Sequence, residues 1–337
     1  MLNTRLVRIS SLLLKRNGAT TQLTSFGKAL NICRPWLKFE IHPPGCNEFQ
    51  SASRGACMSK RDSLAKLSEQ CLFPTGVTLH CAVSGGADSS ALLILASLTG
   101  QPVIAHHVDH GLRADSAAET ERVQELARKV KAEFNAVSLT LEDGPNLEAR
   151  ARKARFDALP NEILTGHTAD DQAETIILHL LRGGGLDALA AMREDRHPIL
   201  QLRRADTEFV CEIYGWEPIE DPSNYDPRFR RNRIRHEILP LMNEVAQRDV
   251  VPLLTRAAKL AETDRDLLDC LAEQVDATDA ASLVSAPIPL ARRAIRSWLR
   301  GEHPPDSASV DRVMQVALGK TKGTEVPGGR SIRRTNG

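Results

Sequence analysis

The stretch Ser84, Gly85, Gly86, Ala87, Asp88, Ser89 constrains this chain more than any other. Residues 78–83 before it (TLHCAV) read as a buried strand, and residues 90–97 after it (SALLILAS) as a helix. A strand that runs through a Gly-rich turn into a helix N-terminus makes an anion site. The first helical turn leaves backbone N–H groups unpaired and carries partial positive charge. Gly85 and Gly86 let the backbone approach an anion and adopt positive φ, while Ser84 and Ser89 add hydroxyl donors. Asp88 would repel bare phosphate, so its place there makes sense if it holds a cation, most simply Mg²⁺. An isolated S-G-G is an ordinary turn with a helix cap. The full S-G-G-x-D-S between strand and helix points instead to nucleotide phosphates. No G-x-x-x-x-G-K-[ST] occurs in the chain, so the loop is of another type.

Strands are expected at 78–83, 103–108, 137–141 and 162–165. Helices are expected at 59–71, from about 115 with Val123, Leu126, Val130 and Phe134 on the apolar side, at 147–159 and at 169–182. That alternation predicts an α/β fold with a doubly wound, mostly parallel sheet, binding ligands at the C-terminal ends of its strands. Beyond 238 the chain reads helical. One apolar stripe is Ile238, Leu241, Met242 and Val245; a second runs through Leu253, Leu254, Leu260 and Leu267. Helices follow at 290–300 and 309–318, then a basic tail, 328–334, that closes a hairpin. The expected domains are an α/β domain at 58–225 and a smaller, mainly helical, RNA-binding domain at 226–337. Residues 1–57 stand apart: no acidic residue precedes Glu40, while Arg5, Arg8, Lys15 and Arg16 already occur. A transit peptide has that composition, but a start assigned too early or a disordered basic arm fits this chain better.

The 337 residues have room for two cores. A net charge of +1 means that any RNA site must be a local patch. No apolar run approaches the ~20 residues of a membrane span, so no membrane partner is expected. The seven cysteines form no C-x-x-C and no zinc-finger spacing, which suits a reduced, cytoplasmic compartment.

Four further motifs fall at expected strand ends. In His106-His107-Val108-Asp109-His110-Gly111-Leu112-Arg113 the adjacent histidines point to opposite strand faces and suit no shared metal. Asp109 and His110 fall on the loop that lines a nucleotide site. Glu148, Arg152 and Arg155 share one helix face; on spacing alone they read as an exposed ion-paired surface. Asp170, Asp171 and Glu174 open a helix, where acids complement the dipole. Asp170 and Glu174 also share a face, so they could coordinate Mg²⁺ with Asp88 or bind an ammonium group. Arg182 and three glycines end that helix beside the expected mouth. Finally, the turn formers of 220–227 lead into Arg228, Arg230, Arg231, Asn232, Arg233 and Arg235, with Tyr225 and Phe229 available for stacking. Forked guanidiniums and aromatics suit phosphate and single-stranded RNA.

Taken together, SGGADS, HHVDHGLR, NLEARARKAR, TGHTADDQAET with LLRGGG, and EDPSNYDPRFRRNRIRHEILP resemble the tRNA(Ile)-lysidine synthase family of PP-loop ATP pyrophosphatases, over residues 78–241. The resemblance implies ATP-dependent ligation of L-lysine to C2 of the wobble cytidine in the CAU anticodon of tRNA(Ile). AMP and pyrophosphate leave, and the cytidine is adenylated on the way. It implies pyrophosphate on 84–89, Mg²⁺ on Asp88 with Asp170, and lysine or cytidine on Asp171 and Glu174. Substrate or tRNA contacts would come from Asp109, His110, Arg113, Glu148, Arg152, Arg182, Arg231, Asn232, Arg233 and Arg235. Long family members carry a further C-terminal domain for the acceptor stem, for which this chain is too short, and residues 1–57 match nothing in the family. A tRNA thiolase would usually need cysteine pairs, and a non-catalytic module would not need Asp88, Asp170 and Glu174 intact. The quaternary state stays open, a dimer included.

Overall fold

The structure, a computed structural model, describes residues 60–109, 116–138, 158–301 and 305–335. Residues 1–57, His110, Arg113, Glu148, Arg152 and Arg155 lie outside that set, as does almost all of the helix expected at 147–159.

Among the described residues three parallel strands form the sheet: β1 (Leu79–Ala82), β2 (Val103–Asp109) and β3 (Glu133–Ser138), in the order β1-β2-β3. The register pairs Leu79 with Val103 and Ile104 with Glu133. On the free side of β1 the segment around Leu164 adds one parallel bridge, Cys81 to Leu164, its N–H bonded to the His80 carbonyl at 2.7 Å. The chain therefore winds from β1 out to β3 and returns to the opposite side of β1. That reversal makes a crevice beside the C-terminal end of β1, where ligands of such sheets bind.

Helix α1 (Lys60–Glu69) precedes the sheet, α2 (Ala87–Ser97) follows β1 and α3 (Ser116–Lys129) follows β2. Ala91 to Ala96 in α2 are all buried, as expected of a helix that is apolar all round. Each of its leucines contributes about 1.5–3 kcal/mol by leaving water. The third strand starts four residues before its expected position. Lys131 takes φ 59° just past α3, so the helix stops and Phe134 packs from the strand instead of a helix face. The expected fourth strand is reduced to the bridge at Leu164.

Helix α4 (Ala169–Leu180) leads through a Gly turn to α5 (Leu186–Leu189) and then α6 (Arg204–Ile213). Helix α6 packs on α2, and the Trp216 indole N–H donates to Ser90 Oγ at 3.2 Å. A short 3-10 turn (Pro222–Tyr225), α7 (Arg230–Arg233) and a π-turn (Ile234–Ile238) come next, then α8 (Leu239–Ala246) and α9 (Val251–Ala272).

The chain divides into two compact units, with the boundary between Cys270 and Leu271. Residues 226–270, expected to open the second domain, thus belong to the first unit. Ile234, Leu239, Val250 and Val251 pack against Ala169, Ala173 and Ile177 of α4. The expected apolar stripes are split. Ile238 and Met242 face that cluster, while Leu241 and Val245 are exposed, because the π-turn shifts the phase of the helix that follows. In α9 the buried face is Val251, Ala258 and Ala261, which leaves Leu253, Leu260 and Leu267 exposed.

The second unit holds α10 (Ala280–Ser285), α11 (Ile288–Leu299) and α12 (Ser307–Ala317) with an antiparallel hairpin of β4 (Gly323–Val326) and β5 (Arg330–Arg333). Leu283, Ala291, Ile295, Val310 and Val313 form its core. Among the described residues no helix is long and apolar enough to cross a membrane.

Candidate active site

Between β1 and α2 the chain makes a tight bend. Gly85 sits at φ 91°, where an L side chain is strained, and its carbonyl accepts the Ile219 N–H at 2.9 Å. The Ser84 N–H donates to Ser89 Oγ at 3.1 Å, and that hydroxyl donates to the Gly86 carbonyl at 3.0 Å. The Ser90 N–H is the one taken by the Gly86 carbonyl, so the donors ahead of it are the unsatisfied ones of the first turn. From the other side Gly166 presses on the bend. A Cβ there would stand 2.6 Å from the Asp88 carbonyl oxygen and 2.9 Å from Ser89 Cα.

A cavity of about 630 Å³ opens in front of the bend, a size suited to a nucleotide. Ala82, Val83, His106, Val108 and Leu159 line it beside β1 and β2; residues 217–221 form another wall, and Asn224, Tyr225, Arg235 and His236 also line it. The lining is strongly acidic. Among the described lining residues, the acids are Asp88, Asp171, Glu208, Glu217, Glu220 and Asp221, and the arginines are Arg204 and Arg235.

Behind the cavity lies an ion network. Glu174 is fully buried and accepts from Arg231 Nε at 2.7 Å and Arg235 Nε at 2.6 Å. Asp171 divides its oxygens: Oδ2 caps α4 by accepting the Thr168 N–H at 2.9 Å, and Oδ1 accepts from Arg231 Nη2 at 3.1 Å. Asp170 is held by Arg203 through Nε at 3.0 Å and Nη2 at 2.9 Å, and by the Arg204 N–H at 2.8 Å. Arg204 stands at the centre. Its nitrogens lie 3.6 Å from Asp88, 3.4 Å from Asp171 and 3.7 Å from Glu174.

The protonation of these groups follows from their neighbours. Burial, then the negative charge of Asp171, pushes the Asp88 carboxyl up to about 6, against a hydrogen bond from Thr207 and the charges of Arg204 and Arg235. Burial also raises Asp170 and Asp171, but Arg203 for the first and Arg231 and Arg204 for the second outweigh it, leaving both below the usual carboxylate range. Of these three carboxyls, Asp88 is the one whose arginine and hydroxyl neighbours do not offset its burial.

The bend 84–89 forms as expected, with Asp88 in the first turn of α2. The expected Mg²⁺ pair of Asp88 and Asp170 is not brought together: Asp170 is turned to Arg203 and lies outside the cavity lining, where Asp171 stands instead. Glu174 is committed to its two arginines rather than to the cavity. Of the arginine block, Arg235 lines the cavity. Arg231 closes the network behind it, and Arg233 pairs with Glu237 on the surface. Asn232 is buried, its amide donating to the Ser223 and Asp226 carbonyls at 2.7 and 2.9 Å. Asp109 ends β2 one residue past Val108 of the lining, and Arg182 is exposed in the turn after α4. His106 and His107 are buried and separate, one bonded to His80 and the other to the Val83 carbonyl.

Sequence reading missed Arg203, Arg204 and Thr207, whose hydroxyl donates to Asp88. It also missed His197, which with His167 flanks Thr165 Oγ1 at 2.6 and 2.8 Å. Paired arginines opening a helix after a proline-led turn are the only local sign.

Among the described residues no group of three or more His, Cys, Asp or Glu is arranged to hold a metal ion alone. A Mg²⁺ ion normally takes one or two carboxylates and completes its shell with phosphate oxygens and water. Asp88, largely desolvated in the first turn of α2, fits that use.

A family model described as a PP-loop domain matches residues 59–242. The tRNA(Ile)-lysidine synthase of Mycolicibacterium paratuberculosis is 41% identical over 235 residues, covering 65% of this chain and 73% of that protein. The tRNA(Ile)-lysidine synthase of Thermobifida fusca is 34% identical over 297 residues, covering 79% of this chain and 91% of that protein. The one from Cutibacterium acnes is 35% identical over 271 residues, covering 73% and 86%.

Proposed function

This chain belongs to the tRNA(Ile)-lysidine synthase family, and from that membership we propose how its cavity handles ATP, lysine and tRNA. The enzyme is a ligase that joins L-lysine, through its ε-amine, to C2 of the wobble cytidine in the CAU anticodon of tRNA(Ile). The cytidine O2 forms a bond to the α-phosphorus of ATP, and the bond to pyrophosphate breaks. The lysine amine then forms a bond to C2, loses a proton, and AMP leaves with the former O2.

The bend at 84–89 receives the pyrophosphate portion, its first-turn N–H groups meeting the charge that builds on the leaving oxygens. Among the described residues, Arg204 and Arg235 are the arginines that line the cavity with the bend, and they are available to meet phosphate charge. Asp88 would hold Mg²⁺, which when bound supplies further neutralisation of the phosphates. The acidic wall of Glu217, Glu220 and Asp221, with Asp171 and Glu208, suits a cationic amino acid. Arg231 and Glu174 keep Arg235 and Asp171 in place and make no substrate contact in this reading. The exposed arginines 228 and 233, and the second unit with its basic hairpin, are assigned to the tRNA backbone. A sulfur-transfer chemistry gains no support: the Cys81 and Cys211 thiols are buried and pushed up to about 12. The free thiols of Cys71, Cys81 and Cys211 suit a reduced, cytoplasmic setting.

One observation carries the reading: the Gly-rich bend at 84–89, the desolvated Asp88 and Arg235 of the arginine block line one cavity, in a chain whose relatives are named for this activity. Incubating the full-length protein with ATP, labelled lysine and tRNA(Ile) tests it. The expected result is label in tRNA only when ATP is present. Binding without transfer, or ATP cleavage without lysine entering tRNA, would contradict it.

A further inference from the structure

Resting on the lysidine reading, we propose that Tyr225, stacked on His236 at the mouth of the cavity, is the platform that receives the wobble cytidine when it leaves the anticodon stack. Chemistry at C2 and O2 of a base requires the base to be taken out of its neighbours' stack. Bases splayed from single-stranded loops are caught on aromatic faces. Among the described residues that line the cavity, Tyr225 alone carries a phenyl or indole ring.

Its setting is that of a landing surface and not of a core residue. Tyr225 is 71% exposed. One face is covered by His236, with ring centroids 5.5 Å apart and planes 20° from parallel. The His236 ring is itself steadied by a 3.2 Å contact from Nε2 to the Asn224 carbonyl. The backbone beneath is fixed twice. Asp221 accepts the Ser223 N–H at 2.9 Å, and the buried Asn232 amide ties the carbonyls of Ser223 and Asp226. A ring held on one side and open on the other adds stacking at little ordering cost.

The neighbours suit RNA. Arg228 and Arg233 are exposed and engaged only in surface pairs with Asp226 and Glu237, which a phosphate can displace. The adenine of ATP has a different surface available: Ala82, Val83, His106 and Leu159 are all buried in the lining beside the sheet. An exposed ring at the opening is better placed for a base arriving on a macromolecule.

The test uses full-length protein, tRNA(Ile) carrying the fluorescent base pyrrolocytosine at the wobble position, and the variants Tyr225→Ala and Tyr225→Phe. Stacking quenches the probe. The parent protein should quench it on binding. Tyr225→Ala should lose the quenching and raise KM for unlabelled tRNA(Ile) roughly 5- to 150-fold, the range of one base–aromatic stack. Tyr225→Phe, which keeps the face, should restore both to within about threefold of the parent. The Kd for ATP should be the same in all three proteins. Parental KM in Tyr225→Ala, equal loss in Tyr225→Phe, or no quenching by the parent would overturn the proposal. A fall in ATP affinity with Tyr225→Ala would also overturn it by assigning the ring to the nucleotide. Failure of the parent protein to transfer lysine would count against the lysidine reading itself, while the fluorescence still decides whether this ring meets the wobble base.

Discussion

Arg235 Nε donates to Oε1 of Glu174 at 2.6 Å, and that carboxylate is completely out of water. The pair joins residues 61 positions apart and fixes an arginine that lines the cavity. Removing one partner of a buried pair leaves the other charge uncompensated. Glu174→Gln is therefore expected to cost on the order of 3 kcal/mol in urea unfolding, with the midpoint lowered and the slope unchanged. An unaltered midpoint would show that the pair does not hold the site together.

Gly166→Ala places a methyl group 2.6 Å from backbone oxygen, where nothing flexible can yield. The expected cost is about 1–3 kcal/mol in stability, together with a weaker Kd for ATP, because the bend at 84–89 must move. Gly185→Ala, at a site with open space around it, should stay within about 0.5 kcal/mol of the parent and leave ATP binding unchanged.

Asp88 gives the folded protein a pH dependence of definite sign. Its folded value of about 6 lies above that of an unfolded aspartate, so the folded state binds the extra proton. The stability linked to this carboxyl is full below the unfolded value and is lost as pH rises through about 6. Asp88→Asn, neutral throughout, should melt with the parent near pH 4 and exceed it by on the order of 2 kcal/mol at pH 8, measured in EDTA. Parallel melting curves across that range would contradict the desolvation argument. Added Mg²⁺ should narrow the gap at pH 8 by favouring the ionised parent.

Asn232 separates a structural role from a contact role. Asn232→Ala leaves two carbonyls without their donor and should cost about 2 kcal/mol. Asn232→Asp should cost more, since a carboxylate would face both oxygens. KM for tRNA should rise in each variant while the Kd for ATP holds, because the turn that carries Tyr225 loosens and the bend does not. A matching loss of ATP affinity would place Asn232 in the nucleotide site.

Local signals carried a good part of this site. The strand, bend and helix at 79–97 were legible because glycines, a buried apolar run and an N-terminal turn are set by neighbours in the chain. The doubly wound sheet followed from the alternation of periods. The choice between Asp170 and Asp171 was not legible. Adjacent helical residues point about 100° apart, and only the packing of α4 decides which one meets the cavity. Arg204 and Thr207 were invisible for another reason: they reach Asp88 from more than a hundred residues away, through the packing of α6 on α2. The arginine block showed its charge but not its direction, and the structure turns Arg231 and Arg235 inward to buried acids. The π-turn at Ile234–Ile238 has no periodic signature, so the stripes drawn beyond it fell out of phase.

The most direct measurement follows the α-phosphate of ATP. Full-length protein with tRNA(Ile), Mg²⁺ and ATP labelled at the α-phosphorus, without lysine, should place label on the tRNA, and added lysine should release it as AMP. Asp88→Ala protein should do neither. Label reaching tRNA at the parental rate in Asp88→Ala, or arriving from the γ-phosphorus instead, would contradict the account of the bend at 84–89 as the seat of the leaving pyrophosphate.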